Sequence, residues 1–180
     1  SLAFSGFPTA YARTFVTPRD YVASAGTGGD DTTAVAAAMA SDLPMYIDRA
    51  YIISAAVTHS TSAAKRVYGN GPSTSRITMT NATQDGLVKT GGGSLTVESI
   101  SVTTSINKTA GAAVKTSGTY KDIIRDCHIF GPSTSLKLFV GIDINGLIPC
   151  VENNYILTCT NTGLRINNTA SGEGSEGIVS

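Results

Sequence analysis

The sequence predicts an all-β solenoid, built from stacked coils of three short strands and closed at its N-terminal end by one short helix. Three observations carry this prediction. The hexamers "VESISV" from Val97, "IRDCHI" from Ile124 and "VENNYI" from Val151 superpose residue for residue, and each starts 27 positions after the last. A third strand-like segment recurs about ten residues upstream of a hexamer: "GLVKT" at Gly86, "AAVKT" at Ala112, "GIDIN" at Gly141 and "GLRIN" at Gly163. One segment, "GGDDTTAVAAAMASDLP" from Gly28 to Pro44, has helical signals that the rest of the chain lacks.

The helix comes first in the chain. Asp30 or Asp31 can act as N-cap, an Ala-rich body follows, and Pro44 terminates the segment. Val35, Met39 and Leu43 are spaced four apart as one narrow apolar stripe, so a helix near residues 31 to 41 is expected. A solenoid ends in unpaired N–H and C=O groups over a bare core, and such an edge aggregates unless it is covered. A short amphipathic helix before the first coil is suited to that role.

Within each hexamer the first, fourth and sixth positions are apolar or stackable. The third is Ser99, Asp126 or Asn153, residue types that tolerate the left-handed backbone of a tight bend. Each hexamer therefore reads as a strand, a one-residue corner and a second strand. Val97, Ile124 and Val151 should stack in one column, and Ile100, Cys127 and Asn154 in another, with the Asn154 amide bonded along the stack. A sandwich would show alternation and turns without a fixed 27-residue repeat.

Composition narrows the function. The chain has 180 residues, enough for one domain with its own core, and is 41% hydrophobic but only 14% charged. Lys plus Arg and Asp plus Glu are balanced at 13 each, so no field steers it toward nucleic acid or an anionic membrane. Thr, Ser, Asn and Gly carry the polarity, a surface compatible with a carbohydrate partner. Cys127, Cys150 and Cys159 are an odd count without metal-ligand spacing and read as free thiols. No apolar run approaches the roughly 20 residues of a membrane span, and the start lacks a signal-peptide pattern. No metal or cofactor motif is present. "TGGGS" at Thr90 reads as a flexible turn, the two "GPSTS" copies at Gly71 and Gly131 as reused corners, and His59 as part of a polar loop without a role.

Four stretches in order resemble the N-terminal part of right-handed parallel β-helix proteins of the pectate-lyase-like class, bacteriophage tailspikes above all. "PRDYVASAGTGGDDTTAVAAAMAS" resembles the family's first strand, Gly-Asp-rich loop and capping helix. "PMYIDRAYIIS" resembles the strand pair that follows, "VYGNGPSTSRITM" a first coil, and "DIIRDCHIFG" a standard coil. The resemblance implies a three-strand coil from residue 18 to 180, read as the front of a longer protein. It also implies a lead-in over residues 1 to 17 whose Phe4, Phe7, Tyr11 and Phe15 pack between subunits. A homotrimer on a virion tail is implied, binding a bacterial capsular polysaccharide or O-antigen and depolymerising it in the full-length protein. A structural or receptor-binding segment without catalysis is the alternative, and a cellular pectate-lyase-like enzyme the third reading. No catalytic signature of the family can be matched.

Equivalent positions on successive coils lie about 4.8 Å apart. The second hexamer position therefore gives an outward column Glu98, Arg125, Glu152. It reads as a salt-bridge ladder, or as two carboxylates about 10 Å apart, near the spacing of an inverting glycosidase. The fifth position gives Ser101, His128 and Tyr155. These read as exposed cross-rung partners, or as a His–Tyr acid–base pair with Arg125 neutralising a uronate. Glu98, Glu152 and His128 are thus the catalytic candidates, and Arg125 and Tyr155 the substrate-binding ones.

Overall fold

A computed structural model describes residues 14–167 and the backbone of residues 178–179. Phe4, Phe7 and Tyr11 of the expected lead-in lie outside the described residues. The first elements among the described residues are a 3-10 turn at Pro18–Asp20 and a helix, α1 (Thr32–Ala40). Fourteen strands follow among the described residues. They are β1 (Met45–Ile47), β2 (Ala50–Ile53), β3 (Val57–His59), β4 (Lys65–Gly69), β5 (Arg76–Met79), β6 (Leu87–Lys89) and β7 (Leu95–Glu98). Then come β8 (Ser101–Thr104), β9 (Ala112–Arg125), β10 (His128–Phe130), β11 (Leu138–Glu152), β12 (Tyr155–Leu157), β13 (Cys159–Ile166) and β14 (Ile178–Val179).

All named strands pair in parallel, and together they form a β-solenoid of about 4 turns with a period of about 27 residues. Three walls result. The first holds β1, β4, β7, the C-terminal parts of β9 and β11, and β14. The second holds β2, β5, β8, β10 and β12. The third holds β3, β6, the N-terminal parts of β9 and β11, and β13. The long strands β9 and β11 simply run on from the third wall into the first.

The predicted column Val97, Ile124, Val151 is present, and the coil adds a second one that the sequence reading did not name. Val67, Val97, Ile124 and Val151 are in register and buried on the first wall, and Tyr51, Ile77, Val102 and Ile129 likewise on the second. These columns are part of one core, which the third wall and α1 complete with residues such as Val57, Leu87, Val114, Ile142 and Met39. The corner residues Ser99, Asp126 and Asn153 have φ of 55°, 55° and 52°, in the left-handed region that short polar side chains tolerate. Asn154 bonds along the stack as expected, its Oδ1 accepting from Cys127 N at 3.1 Å and its Nδ2 donating to Ile124 O at 2.7 Å. A fourth left-handed corner, Thr158 at φ 55°, turns the chain between β12 and β13.

The third-strand segments need a shift of one residue. Leu87 pairs with Val114, so Gly86 aligns with Ala113 and not with Ala112. The close approach explains the glycine, because a Cβ on Gly86 would press into the Ala113 carbonyl oxygen. The same wall extends one coil further back than the repeat indicated, with Val57 against Leu87 and His59 against Lys89.

The N-terminal edge is closed on all three walls. Val16 bridges to β1, with Val16 N donating to Pro44 O and Tyr46 N to Val16 O. On the second wall Asp31 serves β2: its carboxylate accepts Gly26 N at 2.8 Å and Ile52 N at 2.9 Å. Asp31 is the N-cap by position, yet it gives its carboxylate to the strand edge, while Asp30 Oδ1 accepts Thr32 N at 3.0 Å. Over the third wall lies α1, burying Ala34, Val35, Ala38 and Met39. Leu43 falls beyond the helix and is 38% exposed, so the apolar stripe ends at Met39.

His59 is no loop residue. It is fully buried in β3, and its Nδ1 lies 2.9 Å from Met39 O under the helix C-terminus. Beside it Lys65 Nζ donates to Ala38 O at 2.8 Å, Ser41 O at 2.7 Å and Leu43 O at 2.6 Å. A cation thus meets carbonyls that the end of a helix leaves without partners. Lys89 and Lys108 repeat the device. Lys89 Nζ donates to the carbonyls of Thr61, Thr90 and Gly92, and Lys108 Nζ to those of Asn81 and Gln84. The "TGGGS" turn folds round the Lys89 ammonium, with Gly91, Gly92 and Gly93 at positive φ.

Candidate functional site

The first wall carries a continuous outward column of Tyr46, Tyr68, Glu98, Arg125 and Glu152, one residue per coil. Its aromatic end is stacked. Phe15 meets Tyr46 edge-on at 5.6 Å, Tyr46 lies 5.2 Å from Tyr68, and the Arg66 guanidinium sits 4.6 Å over the Tyr68 ring. Its charged end is paired. Glu98 accepts Arg66 Nε at 2.7 Å and Arg125 Nε at 2.6 Å, and Arg125 also stands 3.9 Å from Glu152. Between these groups is a cleft of about 200 Å³.

This pairing sets the chemistry of Glu98. Burial opposes its charge, but the hydrogen bonds from Arg66 and Arg125 outweigh burial and hold its carboxyl below the usual carboxylate range. Its oxygens are already engaged as acceptors from two cations. Arg125 in turn is held charged by its bond to Glu98. Such a column is a closed ion network, and Arg66 is a member that the hexamer repeat does not reveal because it lies outside it.

The third wall is similar. Lys115 Nζ meets Asp85 Oδ2 at 3.0 Å, and Asp143 accepts Arg165 Nε at 2.8 Å and Asn167 Nδ2 at 3.3 Å. Lys115, Asp143 and Arg165 are successive rungs of one column.

The second wall differs. Two outward columns run side by side along it. One is Arg76, Ser101, His128, Tyr155; the other is Thr78, Thr103, Phe130, Leu157. His128 and Tyr155 form a tilted ring pair at 5.4 Å, with Tyr155 54% exposed and Leu157 also exposed. Towards the N-terminal side, Arg76, Thr78, Thr103, Phe130, Pro132 and Leu136 line a groove of about 440 Å³. Among the described residues, the Ser101 and Thr103 hydroxyls are buried without a hydrogen-bond partner. A third such hydroxyl, Thr116, belongs to the third wall.

The sequence candidates are therefore divided. Glu98, Arg125 and Glu152 meet on the first wall, and His128 and Tyr155 on the second, with the Asp126 corner between Arg125 and His128. Arg76, Thr103 and Phe130 were not among the candidates, although the strand register that aligns His128 with Ser101 also aligns these. The two "GPSTS" turns diverge as well. Gly71 has φ 123° and its carbonyl accepts Thr74 N and Ser75 N, whereas the second copy closes by a bridge between Ser133 and Leu136.

Other chemistry is quiet. The three cysteines are free, and burial pushes the Cys127 thiol up to about 11, away from a reactive thiolate. Among the described residues no cluster of three or more His, Cys, Asp or Glu side chains is arranged to hold a metal ion. Comparison with known proteins gives no match, whether to a family model, a curated protein or a solved structure. The functional reading accordingly rests on the walls themselves.

Proposed function

We propose that this chain is a polysaccharide-recognising β-helix segment of the kind that phage tailspikes carry, and that the second wall is its glycan-facing surface. The observation behind this reading is the exposed His128–Tyr155 ring pair at 5.4 Å, on the same wall as the groove beside Phe130. Flat rings on a rigid wall offer stacking faces for pyranose rings, and hydroxyl-bearing neighbours offer hydrogen bonds at little entropic cost. The balance of 13 basic and 13 acidic residues sets no net field against a glycan, so charge recognition is left to individual side chains.

The same proposal includes a homotrimer on a virion tail, since cyclic symmetry buries long flat walls without open-ended growth. Depolymerisation of the bound capsule or O-antigen is proposed for the full-length protein. Within these residues the double pairing of Glu98 with Arg66 and Arg125 argues for a structural and against a catalytic role of the first wall. The test is a panel of bacterial capsular and O-antigen polysaccharides immobilised and probed with the 180-residue protein, alongside sedimentation and an assay for released oligosaccharides. The reading expects saturable binding to a subset of glycans, abolished by Tyr155→Ala with Phe130→Ala. Absence of binding across the panel by folded protein would overturn it.

A further inference from the structure

We propose that the groove on the second wall is a subsite for one carboxylate-bearing pyranose, a deepening that rests on the glycan reading above. The cation comes first. Among the described residues, Arg49, Arg66, Arg125 and Arg165 each bond a carboxylate, and Arg19 bonds a backbone carbonyl. The Arg76 guanidinium has no such partner among the described residues, and it lines the groove. A planar fork of donors in that position matches a carboxylate in a bidentate fashion, where a neutral hydroxyl would use only part of it.

The other groups fit the rest of a sugar. Thr103 is 6% exposed, lines the groove, and its hydroxyl is one of the orphans noted above. An unpaired buried hydroxyl is costly, and a ligand oxygen in the groove would relieve that cost. Thr103 lies directly in register with Thr78 on one side and Phe130 on the other, so hydroxyls and ring share one column. Phe130 and Pro132 give an apolar face for the C–H side of a pyranose. The volume of about 440 Å³ falls within the usual range for small-molecule sites, roughly 300–1,000 Å³.

Acidic specificity therefore resides in Arg76 and ring stacking in Phe130, and the two can be separated. The probes are the tightest-binding glycan of the panel, its carboxyl-reduced form, and the variants Arg76→Gln, Thr103→Val and Phe130→Ala in the 180-residue protein. Circular dichroism confirms folding, and Arg66→Gln serves as a charge control. Expected is a uronate- or sialate-containing best binder, at least tenfold weaker after carboxyl reduction. Arg76→Gln should lose the same factor with the acidic form and nothing with the reduced form. Thr103→Val should lose a few-fold with both forms. Equal binding of acidic and reduced forms, a purely neutral best binder, or an equal loss in Arg66→Gln would overturn the acidic subsite while leaving the glycan reading intact. No binding to any glycan overturns both.

Discussion

The first and second walls are made of the same parallel strands, yet they treat their polar groups in opposite ways. On the first, every rung from Tyr46 to Glu152 is answered by another rung or by Arg66. On the second, Arg76 has no side-chain partner among the described residues, Ser101 and Thr103 hold orphan hydroxyls, and Tyr155 is more than half exposed. A wall that satisfies its own charges contributes to stability, and a wall that leaves groups unanswered is ready for a ligand. The column with the more eye-catching charges is thus the structural one.

This contrast can be broken or sharpened by substitution. The largest effect is expected where satisfaction is complete and buried, at Lys65. Lys65→Met takes the ammonium donor from the carbonyls of Ala38, Ser41 and Leu43, in and just beyond the last turn of α1, and should cost about 3 kcal/mol in denaturant unfolding. The pH dependence is a second readout of the same residue. Burial pulls the Lys65 pKa down from 10.5 to about 8, so between these values the unfolded chain binds a proton that the folded chain has released. Stability contributed by this group should therefore rise with pH through that window, and the rise should vanish in Lys65→Met. A flat wild-type profile there would contradict it.

Next comes the first wall. Glu98→Ala removes the shared partner of the half-exposed Arg66 and Arg125 and should cost about 1 kcal/mol, while glycan affinity is unchanged. Because the folded Glu98 pKa lies below its ordinary value of 4.5, its contribution is present above that value and lost as pH falls through the depressed one. Acid unfolding followed by fluorescence should show a shallower pH dependence below 4.5 in Glu98→Ala. Loss of binding in this variant at unchanged stability would move the site to the first wall.

The smallest effect on stability is expected on the second wall. Tyr155→Ala should alter unfolding by no more than about 0.5 kcal/mol, as for other exposed positions. Its glycan affinity should fall roughly fivefold, the worth of about 1 kcal/mol of ring stacking. Calorimetry on the two single variants Glu98→Ala and Tyr155→Ala would then show stability and binding dissociating in opposite directions.

Much of the fold was legible because its signals are local. Ser99, Asp126 and Asn153 announce their corners by residue type, and the apolar positions around them repeat with the coil. The one-residue slip in the third strand arose at Ala112–Ala113, where two small residues side by side give alternation nothing to grip. His59 and the three buried lysines were not legible. Their partners are carbonyls 20 or more residues away for Met39, Ala38 and Asn81, and only the closed coil brings them together. The candidate site was half legible for the same reason. The hexamer repeat displayed Glu98, Arg125, Glu152, His128 and Tyr155, but it could not tell a satisfied column from an open one, and it excluded Arg66 and Arg76.

The most direct test of the central claim is an amide chemical-shift titration of the 180-residue protein with its best-binding oligosaccharide. The account predicts shifts that cluster at Arg76, Thr78, Thr103, His128, Phe130 and Tyr155, and none at Tyr68, Glu98, Arg125 or Glu152. Shifts concentrated around Glu98 and Arg125, with the second wall silent, would contradict it.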